Sequence, residues 1–274
     1  MAIAGTIILY NPNINEVIRN VKTYLFKIEK LYVIDNSDKD NSEFFTFSEK
    51  IVYNANRNNL GIAKALNQAV CSAANDGFSH LLTMDQDSFF SKESITEYAN
   101  IFNKLDSFSE SAVIGISPKI FDKNKKPIIN SNYEKVNLVI TSGSIINLNI
   151  HKKLEGFNEN LFIDCVDYDY CLRSILLGYS VIRFKNIILY HVGGVPKFFL
   201  GIHVGMYPPE RLYFMARNSL YWWRRYYKHF PILVIKNIVF NFIFSFLPNI
   251  LFSKNKSKSL KSILRGFKGY KSLF

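Results

Sequence analysis

The feature that most constrains this chain is the alternation of strand-like apolar runs with helical patterns over residues 1–120. Strands are predicted at Ile3–Tyr10, Leu31–Ile34, Ile51–Tyr53 and Leu81–Met84. After Gly61, apolar residues recur at the spacing i, i+3, i+4 and i+7, which predicts an amphipathic helix. Such alternation predicts an α/β fold, with a mostly parallel sheet covered by helices on both faces.

Acidic residues follow two of these predicted strands. Asp35 comes directly after Ile34, and Asp85-Gln86-Asp87 comes directly after Met84. Ligands of open α/β sheets bind at the carboxyl ends of the strands, so these acids are candidate site residues.

The second half of the chain has a less regular pattern. Val136–Leu148 is rich in strand-forming residues but is interrupted at residues 141–144. A helix is predicted from about Asp167 to Leu177, ended by Gly178. Two further strands are predicted at Val181–Phe184 and Ile187–His191.

Basic residues are concentrated at the C-terminal end. The net charge is +12, yet residues 211–274 contain thirteen Lys and Arg and no acid, which leaves residues 1–210 with a net charge of −1. We therefore predict a catalytic domain over residues 1–208 and a helical basic region over 209–274. A nucleic-acid-binding protein would carry basic residues on its folded domain, so this non-enzymatic alternative is the weaker one and no nucleic-acid partner is expected.

The C-terminal region has the composition of a membrane-surface segment. Phe230–Phe252 is strongly apolar but includes Lys236, Asn237 and Asn241, which favours an interfacial helix over a straight span. Seven Lys and Arg follow, and such residues are attracted to an anionic leaflet. With only three cysteines and no C-x-x-C pair, we expect a cytoplasmic protein on the inner face of the cell membrane. The alternative is a helical subdomain that packs on the catalytic domain or on a second subunit.

Asp85-Gln86-Asp87 has the strongest local signal for chemistry. Two carboxylates one residue apart, at the end of a buried strand, can share a divalent cation and a ribose hydroxyl. Mg²⁺ and Mn²⁺ prefer oxygen ligands and bind through one or two carboxylates plus substrate phosphates. The alternative is an ordinary polar turn.

A second acidic group consists of Asp164, Asp167 and Asp169. Acids before a helix cap its N-terminus, and Asp164 suits that interpretation best. Asp167 could instead act as a general base toward a substrate hydroxyl. Arg173 could balance these acids or bind phosphate.

Two weaker candidates complete the residue-level analysis. Asn59 and Gly61, with Arg57 before them and Asn67 on the following helix, could place a helix N-terminus near a ligand phosphate; an ordinary loop-to-helix junction is the alternative. His191 ends a predicted strand and could complete a metal site, although a single His is more often structural.

In order and spacing, these segments resemble the family 2 glycosyltransferases, which are inverting enzymes with the A-type nucleotide-diphospho-sugar transferase fold, and among them the bacterial rhamnosyltransferases. The resemblance covers roughly residues 3–225. Its motifs are Tyr10-Asn11-Pro12, Val33-Ile34-Asp35-Asn36-Ser37, residues 56–67, Met84-Asp85-Gln86-Asp87-Ser88, Gly156-Phe157, residues 162–169, Arg173, Gly178-Tyr179, His191 and Arg217-Asn218.

The resemblance implies a role for each candidate residue. Asp167 would be the catalytic base, and Asp87 would bind Mg²⁺ or Mn²⁺, with His191 as a further metal ligand. Val166 stands where many relatives have Glu. Rhamnosyltransferase-like members often share an apolar residue at this position. The candidate residues implied to bind the nucleotide sugar are Tyr10, Asp35, Arg57, Asn59, Gly61, Asn67 and Asp85. Those implied to support the site or the acceptor are Asp164, Asp169 and Arg173.

The implied reaction is the transfer of rhamnose from dTDP-rhamnose to a saccharide acceptor in bacterial cell-surface polysaccharide synthesis of the O-antigen or capsule type. The expected acceptor is lipid-linked. A UDP-hexose or UDP-galactofuranose donor is the alternative within the same fold. Nucleotidyl transfer could also use strand-end carboxylates with a metal, but it does not explain Asp167. A homo-oligomer is compatible with the sequence.

Overall fold

The computed structural model describes residues 3–120, 133–191, 197–199 and 202–273. Its contacts divide the chain into two compact units. The first unit comprises Met1–Glu159 and Asp167–Val192, and the second comprises Asn160–Val166 and Gly193–Phe274. The domain boundary expected after residue 208 stays a prediction.

The first unit alternates strands and helices over its N-terminal half, as expected. Its strands are β1 (Ala4–Leu9), β2 (Lys30–Asp35), β3 (Ile51–Ala55), β4 (His80–Asp85), β5 (Ser88–Phe90), β6 (Ser111–Ile120), β7 (Tyr133–Lys135), β8 (Ser144–Asn147) and β9 (Ser180–His191). Its helices are α1 (Ile14–Lys22), α2 (Ile62–Asn75), α3 (Lys92–Phe102), α4 (Leu148–Lys153) and α5 (Val166–Leu176). The first residue of α5, Val166, is assigned to the second unit.

All nine strands belong to one sheet with the order β3-β2-β1-β4-β8-β6-β9-β5, and β7 pairs with β9. The pairs β3–β2, β2–β1, β1–β4 and β6–β9 are parallel, whereas β8, β5 and β7 enter antiparallel. The sheet is therefore mixed, and its parallel character is confined to the N-terminal strands and the β6–β9 pair. Three parallel strands, β2, β1 and β4, end side by side at one edge.

Helices cover both faces of the N-terminal strands. On one face, Leu31 and Val33 of β2 join a buried cluster with Val17 of α1 and Ile95 of α3. On the other, the Tyr32 hydroxyl of β2 donates to the Ser72 backbone oxygen of α2 and to the carboxylate of Asp76, directly after α2. The alternation of β2 side chains between two helical layers explains why its inner residues, 31–34, are all apolar or aromatic.

The predicted helix limits agree closely with the structure. Ser91 accepts a hydrogen bond from the Ser94 N–H and caps α3, and Gly77 and Gly178 adopt φ of +84° and +87° just after α2 and α5. Glycine adopts such angles without the steric penalty of a side chain, which explains these helix ends.

Two predicted strand regions differ from the structure. Within Val136–Leu148 only Ser144–Asn147 is a strand, because the backbone turns at Gly143, whose φ is +75°. The two strands predicted at Val181–Phe184 and Ile187–His191 are one strand, β9, with a register irregularity against β6.

The second unit is mainly helical. Its helices are α6 (Pro209–Tyr226), α7 (Pro231–Phe240), α8 (Leu247–Phe252) and α9 (Lys256–Gly269), and a π-helical turn (Asn241–Phe246) joins α7 to α8 without a break. A short antiparallel pair, β10 (Lys197–Phe199) and β11 (Ile202–Val204), precedes them. Gly266 of α9 packs so closely on α6 that an added Cβ would lie 2.4 Å from the Tyr213 backbone oxygen.

Candidate active site

The edge where β1, β2 and β4 end brings the predicted site residues of the N-terminal half together. Asp35 is in register with Leu9, and Asp85 is in register with Ile8. The side chain of Gln86 bridges two of the strand ends, because its Oε1 accepts from the Tyr10 N–H at 2.9 Å. The Tyr10 side chain is 51% exposed beside this bridge.

Asp85 is the last residue of β4, and Gln86 and Asp87 form the turn to β5; all three are partly exposed. Asn20 of α1 donates to the Gln86 backbone oxygen at 3.1 Å, and the Asp85 N–H donates to Ser142 Oγ at 3.0 Å. The turn is thereby held from both sides, and its two carboxylates are attached to a fixed backbone.

The negative charge of Asp85 affects the pKa of a buried neighbour, Tyr24. The pKa of Tyr24 is raised, first by complete burial of its phenol and then by the charge of Asp85. The Tyr24 hydroxyl has no hydrogen-bond partner among the described residues. Tyr24 therefore stays a neutral phenol near the strand end.

The predicted metal site combines Asp87 with His191. Among the described side chains, no group of three or more His, Cys, Asp or Glu could hold a metal ion. The backbone of His191 pairs with Ser88, directly after Asp87, but the His191 side chain lies outside the described residues. Two carboxylates on one turn suit a cation that takes its remaining ligands from a diphosphate and water.

Asp35 is buried and makes several hydrogen bonds. Its Oδ1 accepts from the Ser37 N–H at 2.8 Å, and its Oδ2 accepts from Asn41 Nδ2 and from the Tyr53 hydroxyl, both at 2.7 Å. These contacts fix the loop after β2. A direct contact from Asp35 to a nucleotide stays a prediction and would use a remaining lone pair.

The loop before α2 is fixed by asparagines. Asn36 Nδ2 donates to the Gly61 backbone oxygen at 3.1 Å, and the Gly61 N–H donates to Asn59 Oδ1 at 3.0 Å. Gly61 has a φ of +82° directly before the first residue of α2. Arg57, with a φ of +52°, extends a 65% exposed side chain that pairs with Asp40 at 2.7 Å.

The described hydrogen bonds of the Asn67 side chain are made with Phe157 and Glu159. Its Nδ2 donates to the Phe157 backbone oxygen at 3.0 Å, while its Oδ1 accepts from the Phe157 N–H at 2.9 Å. Gly156, with a φ of +80°, lies against the same side chain. In these contacts Asn67 braces the Gly156-Phe157 turn, and its predicted role toward the nucleotide sugar stays a prediction.

Asp167 lies in the first turn of α5, and its Oδ1 accepts from the Tyr168 N–H at 2.9 Å. It lines a small cavity together with Thr141. The next residue, Ser142, accepts the hydrogen bond from Asp85. The segment 141–142 therefore bonds to the strand end that holds Asp85 and lines the same cavity as Asp167.

Asp169 and Arg173 form an ion pair on α5. Asp169 is fully buried, and its Oδ2 lies 2.7 Å from Arg173 Nε. The other guanidinium nitrogens of Arg173 donate to the backbone oxygens of Leu154 and Gly156 at 2.6 and 2.7 Å. Arg173 thus balances an acid and holds the turn before the catalytic candidate, and this geometry gives it a supporting position.

Within the second unit, Asp164 is paired with Arg211, whose NH2 lies 3.0 Å from Asp164 Oδ1. Because α5 begins at Val166, Asp164 lies two residues before the helix. Burial raises the pKa of Asp164, and the nearby charge of Arg211 acts in the opposite direction.

Helix α6 fixes the segment that leads to α5, through contacts we call the α6 clamp. Asn218 Nδ2 donates to the backbone oxygens of Leu161 and Ile163, both at 2.6 Å. Arg217 NH2 donates to the Asn160 oxygen at 2.7 Å. The segment needs such support, because it has three non-glycine residues with φ above +60°, namely Phe162, Asp164 and Cys165.

Sequence reasoning named Arg217-Asn218 only as part of a resemblance and gave it no role. The signal that could have found the clamp is an Asn buried in an otherwise amphipathic helix, since a buried amide must find partners.

Comparison with known proteins agrees with this geometry. The model of the family described as "Glycosyl transferase family 2" matches residues 7–173, which is more than half of the sequence. The chain therefore belongs to glycosyltransferase family 2, as its motifs predicted.

Individual relatives support the same class. The chain is 27% identical to "dTDP-rhamnosyl transferase RfbF" of Shigella flexneri, over 94% of this chain and 92% of that protein. The crystal structure of S. aureus TarS is similar over 100% of this chain, with a TM-score of 0.64 and 17% identity. That of GalNAc-T7 with UDP, GalNAc and Mn²⁺ covers 99%, with a TM-score of 0.62 and 10% identity.

This chain spans 49% of the TarS chain and 56% of the GalNAc-T7 chain. At these identities the structures establish the fold, and the predicted A-type transferase fold is confirmed.

Proposed function

We propose that this protein is an inverting rhamnosyltransferase that moves rhamnose from dTDP-rhamnose to a saccharide acceptor in bacterial cell-surface polysaccharide synthesis. The observation that carries the donor assignment is the similarity to a dTDP-rhamnosyl transferase. That similarity extends over 94% of this chain, so it includes residues of both structural units.

Asp167 is the proposed general base. The acceptor hydroxyl attacks the anomeric carbon from the side opposite the diphosphate, the carbon–oxygen bond to the diphosphate breaks, and configuration inverts. Asp167 takes the proton of the attacking hydroxyl as the new bond forms. Asp167 lies in the first turn of α5, and the hydrogen bond from the Tyr168 N–H to its Oδ1 supports a fixed carboxylate.

Asp85 and Asp87 are the proposed residues for the donor diphosphate and its metal, with His191 as a further ligand. A bound Mg²⁺ or Mn²⁺ would neutralise the charge that develops on the departing nucleoside diphosphate. Asp85 would also orient the ribose. The exposed ring of Tyr10 is available to contact the base, and Asp35 holds the loop beside it.

The proposed acceptor is a lipid-linked saccharide, and the proposed location is the cytoplasmic face of the cell membrane. The charge distribution supports this location, because residues 211–274 carry thirteen basic residues and no acid.

A donor competition assay tests the proposal. The purified protein is given dTDP-rhamnose together with UDP-glucose, UDP-galactose and UDP-galactofuranose, with acceptor and Mn²⁺, and the sugar joined to the acceptor is identified by mass spectrometry. We expect rhamnose to be transferred in preference. Preferred transfer from any UDP donor would contradict the rhamnose assignment and leave family membership intact.

A further inference from the structure

The helix formed by Pro231–Phe252 has its polar and apolar sides inverted relative to a water-soluble helix. Four polar side chains at intervals of four residues form a ladder: Asn237, Asn241, Ser245 and Asn249. Asn241 Nδ2 donates to Asn237 Oδ1 at 2.9 Å, and Asn249 Nδ2 donates to the Ser245 backbone oxygen at 2.8 Å. Ser245 and Asn249 are buried.

This polar ladder is bonded to the rest of the second unit. Trp223 Nε1 of α6 donates to Asn237 Oδ1 at 2.8 Å. At the other end, the Tyr207 N–H donates to Asn249 Oδ1 at 2.7 Å, and Asn249 Nδ2 donates to the Gly205 oxygen at 2.9 Å. The ladder therefore fixes which side of the helix faces the protein.

The opposite side of the helix is exposed and, apart from Lys236, it is mainly apolar. Ile232 is 70% exposed, and seven further side chains are between 41% and 52% exposed, namely Ile235, Val239, Phe240, Phe242, Leu247, Leu251 and Phe252. Large apolar patches of this kind mark protein or membrane interaction sites. We call these eight side chains the apolar strip.

Basic residues lie beside the apolar strip. Helix α9 packs against it through Phe267, whose ring stacks on that of Phe242 at 6.0 Å between centroids. On α9 itself, Leu260 and Leu264 are exposed among exposed basic residues, which include Lys261, Arg265 and Lys268. An apolar surface flanked by exposed basic side chains is complementary to an anionic bilayer, which offers acyl chains and phosphate groups together.

We propose that the apolar strip and the basic residues of α9 bind the surface of an anionic phospholipid bilayer, with the Pro231–Phe252 helix lying in the plane of the interface. The helix has 22 residues and is long and apolar enough to cross a membrane by length and composition. A crossing would move the polar ladder away from Trp223, Tyr207 and Gly205 and leave its amides in hydrocarbon, where each unpaired group is costly. In-plane binding keeps every one of these hydrogen bonds.

Vesicle co-sedimentation of the full-length protein tests the proposal. One set of vesicles contains phosphatidylcholine alone, and the other contains phosphatidylcholine with phosphatidylglycerol. We expect binding to the second set that weakens as salt is raised, and weak binding to the first. Equal binding to both, or binding to neither, would overturn the proposal.

Two variants separate the charged and apolar contributions. Lys261→Glu/Arg265→Glu/Lys268→Glu should lower partitioning onto the anionic vesicles by about 100-fold, since each basic residue near the leaflet contributes several-fold. Ile232→Ser/Val239→Ser/Leu251→Ser should also lower it, while the polar ladder and the fold are kept. The matched control is Lys104→Glu/Lys135→Glu/Lys152→Glu in the first unit, which makes the same charge change and should bind as the wild type does.

Four further readouts complete the test. Circular dichroism and transfer to a soluble acceptor confirm that each variant is folded, and they report on the proposed function separately from membrane binding. Release of the bound wild type by alkaline carbonate supports an interfacial helix, whereas release only by detergent would show a spanning helix. A concentration-dependent dimer that is lost in the serine variant, without vesicle binding, would show that a second copy covers the strip.

Discussion

The side-chain amide of Asn218 lies 3.1 Å from the backbone oxygen of Asp164, three residues before Asp167. The same nitrogen donates to the oxygens of Leu161 and Ile163. One buried amide thus holds a segment whose backbone carries several unfavourable φ angles. In the sequence, only Val166 lies between this segment and Asp167.

Asn218→Ala should remove that hold. The substitution removes the amide that donates to the backbone oxygens of Leu161, Ile163 and Asp164. We therefore expect the free energy of unfolding to fall by about 1–3 kcal/mol. The kcat for transfer should fall because the backbone before Asp167 loses its support, while the KM for the donor changes little. Steady-state kinetics and urea unfolding of the same preparation measure both effects.

Asn255→Ala is the control for Asn218→Ala. Asn255 caps α9 in the same unit by accepting from the Lys258 N–H at 3.0 Å, and it has no described contact with residues 160–165. Its removal should cost about 1 kcal/mol of stability with no change in kcat at temperatures where the protein is folded. Equal kcat in both variants would mean that the clamp has no positioning role.

Arg173→Ala should be among the most destabilising single substitutions in the first unit. It removes the ion pair to the buried carboxylate of Asp169 and the donors to Leu154 and Gly156, for which we expect a loss of about 3–5 kcal/mol in the free energy of unfolding. Urea unfolding measures the loss. Arg173→Lys restores one charge without the planar fork and should recover part of it; full recovery would show that the backbone contacts contribute nothing.

His151 should make the first unit sensitive to acid. Burial, with a further effect of the Arg173 charge, lowers the pKa of His151 from 6.5 to about 4. Between these values the unfolded chain binds a proton that the folded chain does not, so stability is lost as pH falls from 6.5 toward 4. Over this pH range, the lowered pKa of His151 should reduce the free energy of unfolding by about 3 kcal/mol.

Unfolding of His151→Gln over this pH range checks the prediction. The variant should lose less stability on acidification than the wild type, whereas His229→Gln, at an exposed position of the second unit, should follow the wild type. Parallel curves for wild type and His151→Gln would contradict the assignment.

The parts of the fold that depend on local pattern could be predicted. The spacing after Gly61 predicted α2, and Gly178 predicted the end of α5, because helical periodicity and helix-ending glycines are properties of neighbouring residues. Asp35 and Asp85 were predicted to lie at the ends of strands, and they are the last residues of β2 and β4, which both run parallel to β1.

The rest depends on contacts between distant residues. β8 enters antiparallel between β4 and β6, and nothing within Ser144–Asn147 records which strands flank it. Asn67 could equally have faced a ligand, and only the structure shows its pairing with Phe157, ninety residues away. The inverted helix is an intermediate case, because the four-residue spacing of its polar side chains is visible in the sequence but their partners are not.

The most direct test of the account is the comparison of Asp167→Asn with Asp87→Ala. Asp167→Asn removes the proposed base and should lower kcat by about 10²–10⁴-fold, while Mn²⁺ and dTDP still raise its melting temperature as they do in the wild type. Asp87→Ala should lose that metal-dependent rise, and Asp106→Ala, an exposed control in the first unit, should keep both properties. Near-wild-type transfer by the Asp167→Asn protein would contradict the central claim that Asp167 accepts the proton of the attacking hydroxyl.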